Sequence, residues 1–243
     1  LRTRLDGVIA SVGYGDVVIF QFPTWNGIAF DEAFVAHFNG YRELKKIFFL
    51  HDVPPLMDNR VLKELDRYIA LYNRADLIIL PSRNMADYLC SKGLTVKKTV
   101  IQRMWDAPVD IDLAEKPPFR RRINFAADVV QVPRSFVQHW DSDMVELAVT
   151  AQPGEYVWAE GRNIRYLGWF NHENLLTDAL RKSGGFGLLW HDDLAWIEYM
   201  KRNACCKLGT YLAAGLPVIV HESIPEADTI RRKHLGLTVA SME

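Results

Sequence analysis

Cysteine is scarce in this chain of 243 residues, and net charge is almost absent. The three cysteines, Cys90, Cys205 and Cys206, are odd in number and two are adjacent, a pattern that does not suggest a disulfide framework. With no Cys-x-x-Cys pair and no His-rich spacing, no metal site is expected. A reducing cytoplasm is the expected setting, with the thiols mostly buried as small apolar groups. A formal net charge of −1 gives no field to hold a polyanion, so nucleic acid is not an expected partner. No run approaches the ~20 apolar residues of a membrane-spanning helix, and no secretory signal peptide is visible. Glycine-rich phosphate motifs are missing as well. The lack of Gly-x-Gly-x-x-Gly and Walker patterns argues against hydride transfer and ATP hydrolysis. Ser82 follows a strand-like run but lacks the Gly-x-Ser-x-Gly elbow, which disfavours an α/β-hydrolase.

What the chain does have is a globular balance, 49% hydrophobic and 24% charged, and a repeating rhythm. Short apolar runs alternate with amphipathic stretches. In the first half the runs are Val17-Val18-Ile19-Phe20-Gln21-Phe22, Lys46-Ile47-Phe48-Phe49-Leu50, Leu77-Ile78-Ile79-Leu80 and Thr99-Val100-Ile101. They are apolar on both faces, as strands buried between helix layers are. Helices are expected over 31–44, 59–74 and 84–92. Residues 106–118 hold Pro108, Pro117 and Pro118 without helical period and read as an interdomain linker. The rhythm then restarts, with strands expected over 122–125, 145–149, 164–167, 187–190 and 218–220, and helices over 173–182, 200–214 and 225–233. The expectation is an α/β protein of two Rossmann-like domains, 1–118 and 119–243, each with a parallel sheet.

Ligands of open α/β sheets sit at the carboxyl ends of strands beside helix N-termini, so the residues after each strand are the candidates. Lys207-Leu208-Gly209-Thr210 lies towards the start of a helix that Gly215 ends, where a cation and backbone amides suit a diphosphate. The bland alternative is a solvated lysine on a surface helix. His51 and Asp52 directly follow a strand and suit a general base or a sugar-hydroxyl anchor, or simply a turn with a helix cap. Phe22-Pro23-Thr24-Trp25-Asn26-Gly27 suits a sugar or peptide acceptor, with a buried Trp in a turn as the alternative. Asp192 and Asp193 after Trp190-His191 read as a turn, because adjacent carboxylates point in different directions.

Taken together, Gln21-Phe22-Pro23-Thr24-Trp25-Asn26-Gly27, Leu50-His51-Asp52-Val53-Pro54-Pro55-Leu56-Met57, Ala75-Asp76 with Pro81-Ser82, and Met104-Trp105-Asp106 resemble the N-terminal domain of the bacterial glucosyltransferases that modify serine-rich-repeat adhesins. Gly184-Gly185-Phe186-Gly187-Leu188-Leu189-Trp190 and the run from Lys207 to Val220 resemble the C-terminal domain of that family, to which galactofuranosyltransferases of surface polysaccharides are related. The resemblance runs through nearly the whole chain in collinear order. It implies a GT-B fold, two Rossmann-like domains facing across a cleft. The implied donor is a UDP-sugar, UDP-glucose foremost, and the implied acceptor is a glycan or glycopeptide such as O-linked N-acetylglucosamine on a Ser/Thr-rich surface protein. Carried over by position, Lys207 neutralises the diphosphate with support from Gly209 and Thr210, Tyr166 lies beside the nucleotide, and Arg134 is the nearest counterpart of a diphosphate-binding arginine, in a shifted register. Self-association into a homo-oligomer is also implied, with Trp158, Trp169 and Trp196 as interface candidates. The family's first strand and its Thr/Ser loop precede Leu1 and its last helix lies beyond Glu243, so the chain reads as truncated at both ends.

Such chemistry needs a stabilised diphosphate leaving group, an oxocarbenium-like sugar and a positioned hydroxyl. A lysine, an arginine and a helix N-terminus meet the first need without metal or cofactor. Asp110-Ile111-Asp112 and Asp141-Ser142-Asp143 have a metal-binding spacing but read as solvated turns. Asp52 or His51 is the expected catalytic residue on the acceptor side. Two other readings stay open here: a UDP-sugar 2-epimerase of the same fold, and a glycosyltransferase-like subunit that recognises the adhesin without transferring sugar.

Overall fold

The alternation of strand and helix becomes two all-parallel sheets in the computed structural model of the chain, which describes residues 2–41, 43–127, 129, 135–152 and 159–242. The chain divides into two compact units, Leu1–Arg103 and Met104–Glu243.

After α1 (Arg2–Val8), the first unit sets β1 (Val17–Phe22), β2 (Lys45–Leu50), β3 (Leu77–Leu80) and β4 (Thr99–Ile101) side by side in sequence order. Val17 pairs with Lys45 and Phe22 with Leu50. Helices α2 (Ile28–His37), α3 (Pro54–Met57), α4 (Leu65–Tyr72) and α5 (Arg83–Ser91) form the crossovers. The core is aromatic. Phe48 meets Phe20 at 5.1 Å and Phe22 at 4.9 Å, both edge to face, a geometry that adds to the gain from burial alone. The expected helix over 31–44 starts earlier and stops at His37, where a 3₁₀ turn, Phe38–Gly40, replaces its last turns. Ser82 caps α5 by accepting the Met85 amide at 2.9 Å, a structural task for a serine that follows a strand.

The second unit contains β5 (Arg122–Phe125), α6 (Ser135–Gln138), β6 (Glu146–Thr150), β7 (Ile164–Gly168), α7 (Glu173–Ser183), β8 (Phe186–Leu189), α8 (Leu194–Met200), α9 (Cys206–Ala213), β9 (Val218–His221), α10 (Ala227–Arg232) and β10 (Gly236–Val239). Its sheet runs β7-β6-β5-β8-β9-β10. That is the 3-2-1-4-5-6 order of a dinucleotide-type sheet, whose direction of winding reverses between β5 and β8. Below the strands a buried polar network ties the end of α7 to β5. Asn124 donates to the carbonyls of Gly184 (2.7 Å) and Phe186 (3.1 Å) and accepts from Ser183. Arg122 pairs with Glu146 and donates to the Ser183 carbonyl at 2.8 Å.

The helix expected over 200–214 begins only at Cys206, because Met200 is the last residue of a separate helix, α8, and residues 201–205 are not helical. Asp193 caps α8 by accepting the Trp196 amide, and Cys205 takes an extended conformation (φ −87°, ψ 125°) that restarts the chain at Cys206. Residues 106–118 carry no helix or strand and belong to the second unit, where the Arg181 guanidinium binds the carbonyls of Leu113 and Glu115. No helix of the described residues is long and apolar enough to cross a membrane.

Candidate functional site

The winding reversal at β5 and β8 leaves a crevice at the carboxyl ends of the strands. A cavity of about 330 Å³ occupies it, lined by Ala126, Phe170, Asn171, His172, Glu173, Leu176, Cys206, Lys207 and Thr210. Ala126 directly follows β5, and its amide donates to the buried Tyr211 hydroxyl at 2.8 Å while that hydroxyl donates to the Leu188 carbonyl at 3.1 Å. One tyrosine thus fastens α9 to both strands of the crevice. Residues 170–173 link β7 to α7, and His172 caps that helix by accepting the Asn174 amide at 3.2 Å. α9 starts on the same cavity with no side-chain cap and no acidic residue in its first turn. Two helix N-termini therefore converge on one space, each carrying a partial positive charge.

Lys207 is half-buried at the wall of this cavity and, among the described residues, has no ion-pair partner. A cation in that state beside open backbone amides suits a diphosphate. Thr210 shares the wall, but its hydroxyl donates to Glu173 Oε1 at 3.3 Å, so the carboxylate and the hydroxyl form a polar pair in the same cavity. Gly209 does not line the cavity. It faces the other way, where the Trp105 carbonyl approaches so closely that no Cβ fits, with the Ala107 side chain at ordinary contact distance. The Trp105 indole anchors that segment by donating to the Ala204 carbonyl at 2.8 Å. Tyr166 lies on β7, packed half-buried against the cluster around Phe125, Leu147 and Trp190. Arg134 and Trp158 lie outside the described residues. Phe170, Asn171, His172 and Glu173 were not singled out by the sequence. The signal available was their position directly after the expected strand over 164–167, the same rule that selected His51.

In the first unit, the ends of β1 and β2 bring His51 and Gln21 together. The His51 amide donates to the Phe22 carbonyl at 2.8 Å, its Nε2 meets Gln21 Oε1 at 2.9 Å, and its ring stacks on Phe49 at 4.6 Å. Burial holds the imidazole below its ordinary range, with the neighbouring Asp52 charge pulling the other way. With Gln21 accepting from Nε2, the neutral ring keeps Nδ1 as its basic nitrogen. Beside them, the Phe22–Pro23 peptide is cis and Trp25 sits at φ 61° with two thirds of its surface exposed. The buried-Trp alternative for that turn is therefore excluded. The turn is pinned from within, since Thr24 Oγ1 donates to the buried Asp31 carboxylate at 2.5 Å. Burial pushes that carboxyl up, against the lowering effect of the Thr24 bond.

Asp192 and Asp193 do structural work, as the turn reading expects. Asp192 accepts the Phe136 amide at 2.9 Å and Asp193 caps α8. The expectation of mostly buried thiols is corrected: Cys90 and Cys206 are exposed, because one lies on the outer side of α5 and the other opens α9 on the cavity. Trp169 is about half exposed, whereas Trp196 stacks on His191 at 5.1 Å.

Comparison with known proteins agrees with this division of the chain. The family model described as Glucosyltransferase 3-like, N-terminal domain matches residues 1–104, and the model for the C-terminal domain matches residues 123–243. Glucosyltransferase 3 of Streptococcus gordonii is 44% identical over 246 residues, spanning 100% of this chain and 71% of that protein. Glucosyltransferase 3 of Streptococcus parasanguinis is 39% identical, spanning 100% of this chain and 70% of that protein. More distantly, the beta-1,6-galactofuranosyltransferase WbbI of Escherichia coli (strain K12) is 22% identical over 253 residues, 99% of this chain and 70% of that protein. Among solved structures, a crystal structure of TarM superposes with a TM-score of 0.60 at 9% identity, a likeness of fold alone. That match covers 98% of this chain, which spans about half (48%) of the TarM chain.

Proposed function

The chain belongs to the glucosyltransferase 3-like family, and from that premise we propose that it is a hexosyltransferase, moving glucose from UDP-glucose to a glycan acceptor such as O-linked N-acetylglucosamine on a Ser/Thr-rich surface protein. The observation that carries this reading is the cavity at the winding reversal, where Lys207 and the first turn of α9 face the start of α7. In this reading Lys207 and the α9 amides hold the diphosphate and stabilise it as it departs. Phe170 offers a face to the uracil, and Asn171 and Glu173 accept hydroxyls of the ribose or the sugar. Tyr166 and Arg134 keep the roles that the resemblance gives them, beside the nucleotide and on the diphosphate. Gly209 serves instead by letting Trp105 pack on α9.

The two units are read as the halves of a GT-B enzyme, the first carrying the acceptor side. There His51, kept neutral by burial, takes the proton of the attacking hydroxyl, or Asp52 anchors that hydroxyl. The reading includes no cofactor or metal, a cytoplasmic setting and a homo-oligomer. The likeness to WbbI supports a second reading, galactofuranosyl transfer, which differs in the donor sugar.

Calorimetry with UDP, UDP-glucose and UDP-galactofuranose separates these readings. UDP is expected to bind, and Lys207→Ala to weaken binding roughly tenfold to a hundredfold, the scale of a lost hydrogen bond to a charged group. The preferred sugar chooses between the two donors. Absence of binding to every uridine nucleotide overturns both, and binding without turnover leaves a sugar-recognising subunit.

A further inference from the structure

Trp25 combines two states that rarely occur together. Its φ of 61° lies in the left-handed region, where a bulky side chain is an outlier that persists only if its surroundings hold it. The indole gains little burial in return, since two thirds of its surface is exposed. A single exposed aromatic is ordinary on a protein surface. One fixed in a strained turn above a buried carboxylate is not. Thr24 Oγ1 donates to Asp31 Oδ1 at 2.5 Å, and Asn26 Nδ2 donates to the Thr24 carbonyl at 3.0 Å, so the residues on both sides of Trp25 are tethered. Asp31 is 1% exposed, yet its second oxygen, Oδ2, has no hydrogen-bond partner among the described residues. A half-satisfied buried carboxylate is unfavourable. Strain in the turn and desolvation beneath it both cost stability, and what they produce is an exposed indole in a fixed place.

The neighbours in the chain say what that indole suits. Gln21, exposed at the end of β1, accepts from His51 Nε2 through Oε1, which leaves its NH₂ group to donate. Asn26, also exposed, uses its NH₂ group on Thr24 and keeps Oδ1 to accept. An aromatic face with planar amides before and after it suits a pyranose. The axial C–H bonds of such a ring form an apolar face that packs on the negative face of an indole, while hydroxyls and an acetamido group pair with amides. We propose that Trp25 is the stacking platform for the acceptor sugar, so that the first unit recognises an N-acetylhexosamine by its ring face and not the polypeptide that carries it. The proposal rests on reading this unit as the acceptor side. Gln21 joins the platform to the proposed base, because the carboxamide that orients His51 is also the one with a donor left for the sugar.

The whole chain is tested with a serine peptide carrying O-linked N-acetylglucosamine and with the same peptide unglycosylated. Saturation-transfer NMR on the native chain is expected to show the strongest transfer to the axial ring protons of the sugar and little to the peptide. In transfer assays with the donor that calorimetry selects, Trp25→Ala is expected to raise the KM for the glycopeptide roughly fivefold to tenfold, the scale of a lost stacking contact. Trp25→Phe, which keeps a flat ring, stays close to the native value. UDP affinity is the same in both variants, since the donor cavity lies in the second unit. An unchanged glycopeptide KM in Trp25→Ala overturns the proposal, as does saturation centred on the peptide. If Trp25→Ala does not fold, the NMR result on the native chain decides alone. A native chain that binds UDP but not the glycopeptide removes the acceptor reading first, and the proposal falls with it.

Discussion

At the scale of single residues, burial and charge oppose each other at His51. Burial lowers the imidazole below its ordinary value of 6.5 and the Asp52 charge raises it, with burial the larger. A base works only when deprotonated, so a lowered pKa carries activity further into acid. The acid limb of kcat/KM against pH is expected below 6.5, and Asp52→Asn to move it lower still by removing the raising charge. A limb at or above 6.5 would remove His51 from that role. The residue type and its place after a strand were legible in the sequence. Its protonation was not, because that depends on Phe49 stacked on one side and Gln21 at the end of the neighbouring strand. The same holds for Trp25. Its type suggested an acceptor contact, but only the turn pinned by Thr24 and Asp31 leaves it exposed.

At the scale of elements, α9 and α10 carry opposite lessons about substitution. Gly209 lies inside α9, where Ala ordinarily gains about 1 kcal/mol of helix propensity. Here a Cβ would strike the Trp105 carbonyl, which is backbone and cannot swing aside. Gly209→Ala is therefore expected to destabilise by about 1–3 kcal/mol, the usual cost of overpacking, read as a lower midpoint in urea. An unchanged midpoint would show that Trp105 yields. The family resemblance carried a phosphate-supporting role over to Gly209 by position, and a helix face cannot be assigned without knowing what packs on it.

Glu226 stands just before α10, almost fully buried, with neither carboxylate oxygen hydrogen-bonded among the described residues. Burial pushes it from 4.5 up to about 7. A raised carboxyl makes its stability contribution in full below 4.5 and loses it as pH rises through about 7. Between those limits the native chain is expected to lose on the order of 3 kcal/mol that Glu226→Gln retains. Urea titrations of both proteins across that range test it, and parallel curves would mean that the carboxyl is not held protonated.

At the scale of the molecule, the candidate donor site is an assembly of distant segments. Ala126, residues 170–173 and the α9 residues Cys206, Lys207 and Thr210 meet because β5 lies beside β8 and the chain reaches α7 and α9 from opposite sides of that pair. UDP-glucose is accordingly expected to slow amide hydrogen exchange most strongly in the segments around 170–176 and 206–210, with little change in α5. Protection confined to other parts of the second unit would move the site. The sequence by itself determined the alternation of buried strands and helices, the division into two α/β halves and the family, since each is written in residue order and local period. It also marked Lys207, because a lysine near a helix start after a strand is a local pattern. Tertiary structure alone decided which strand ends adjoin, and hence that Phe170, Asn171, His172 and Glu173 face Lys207 while Gly209 faces Trp105. The physical reason is that period fixes which face of an element is apolar, whereas the order of strands in the sheet fixes what that face and its ends meet.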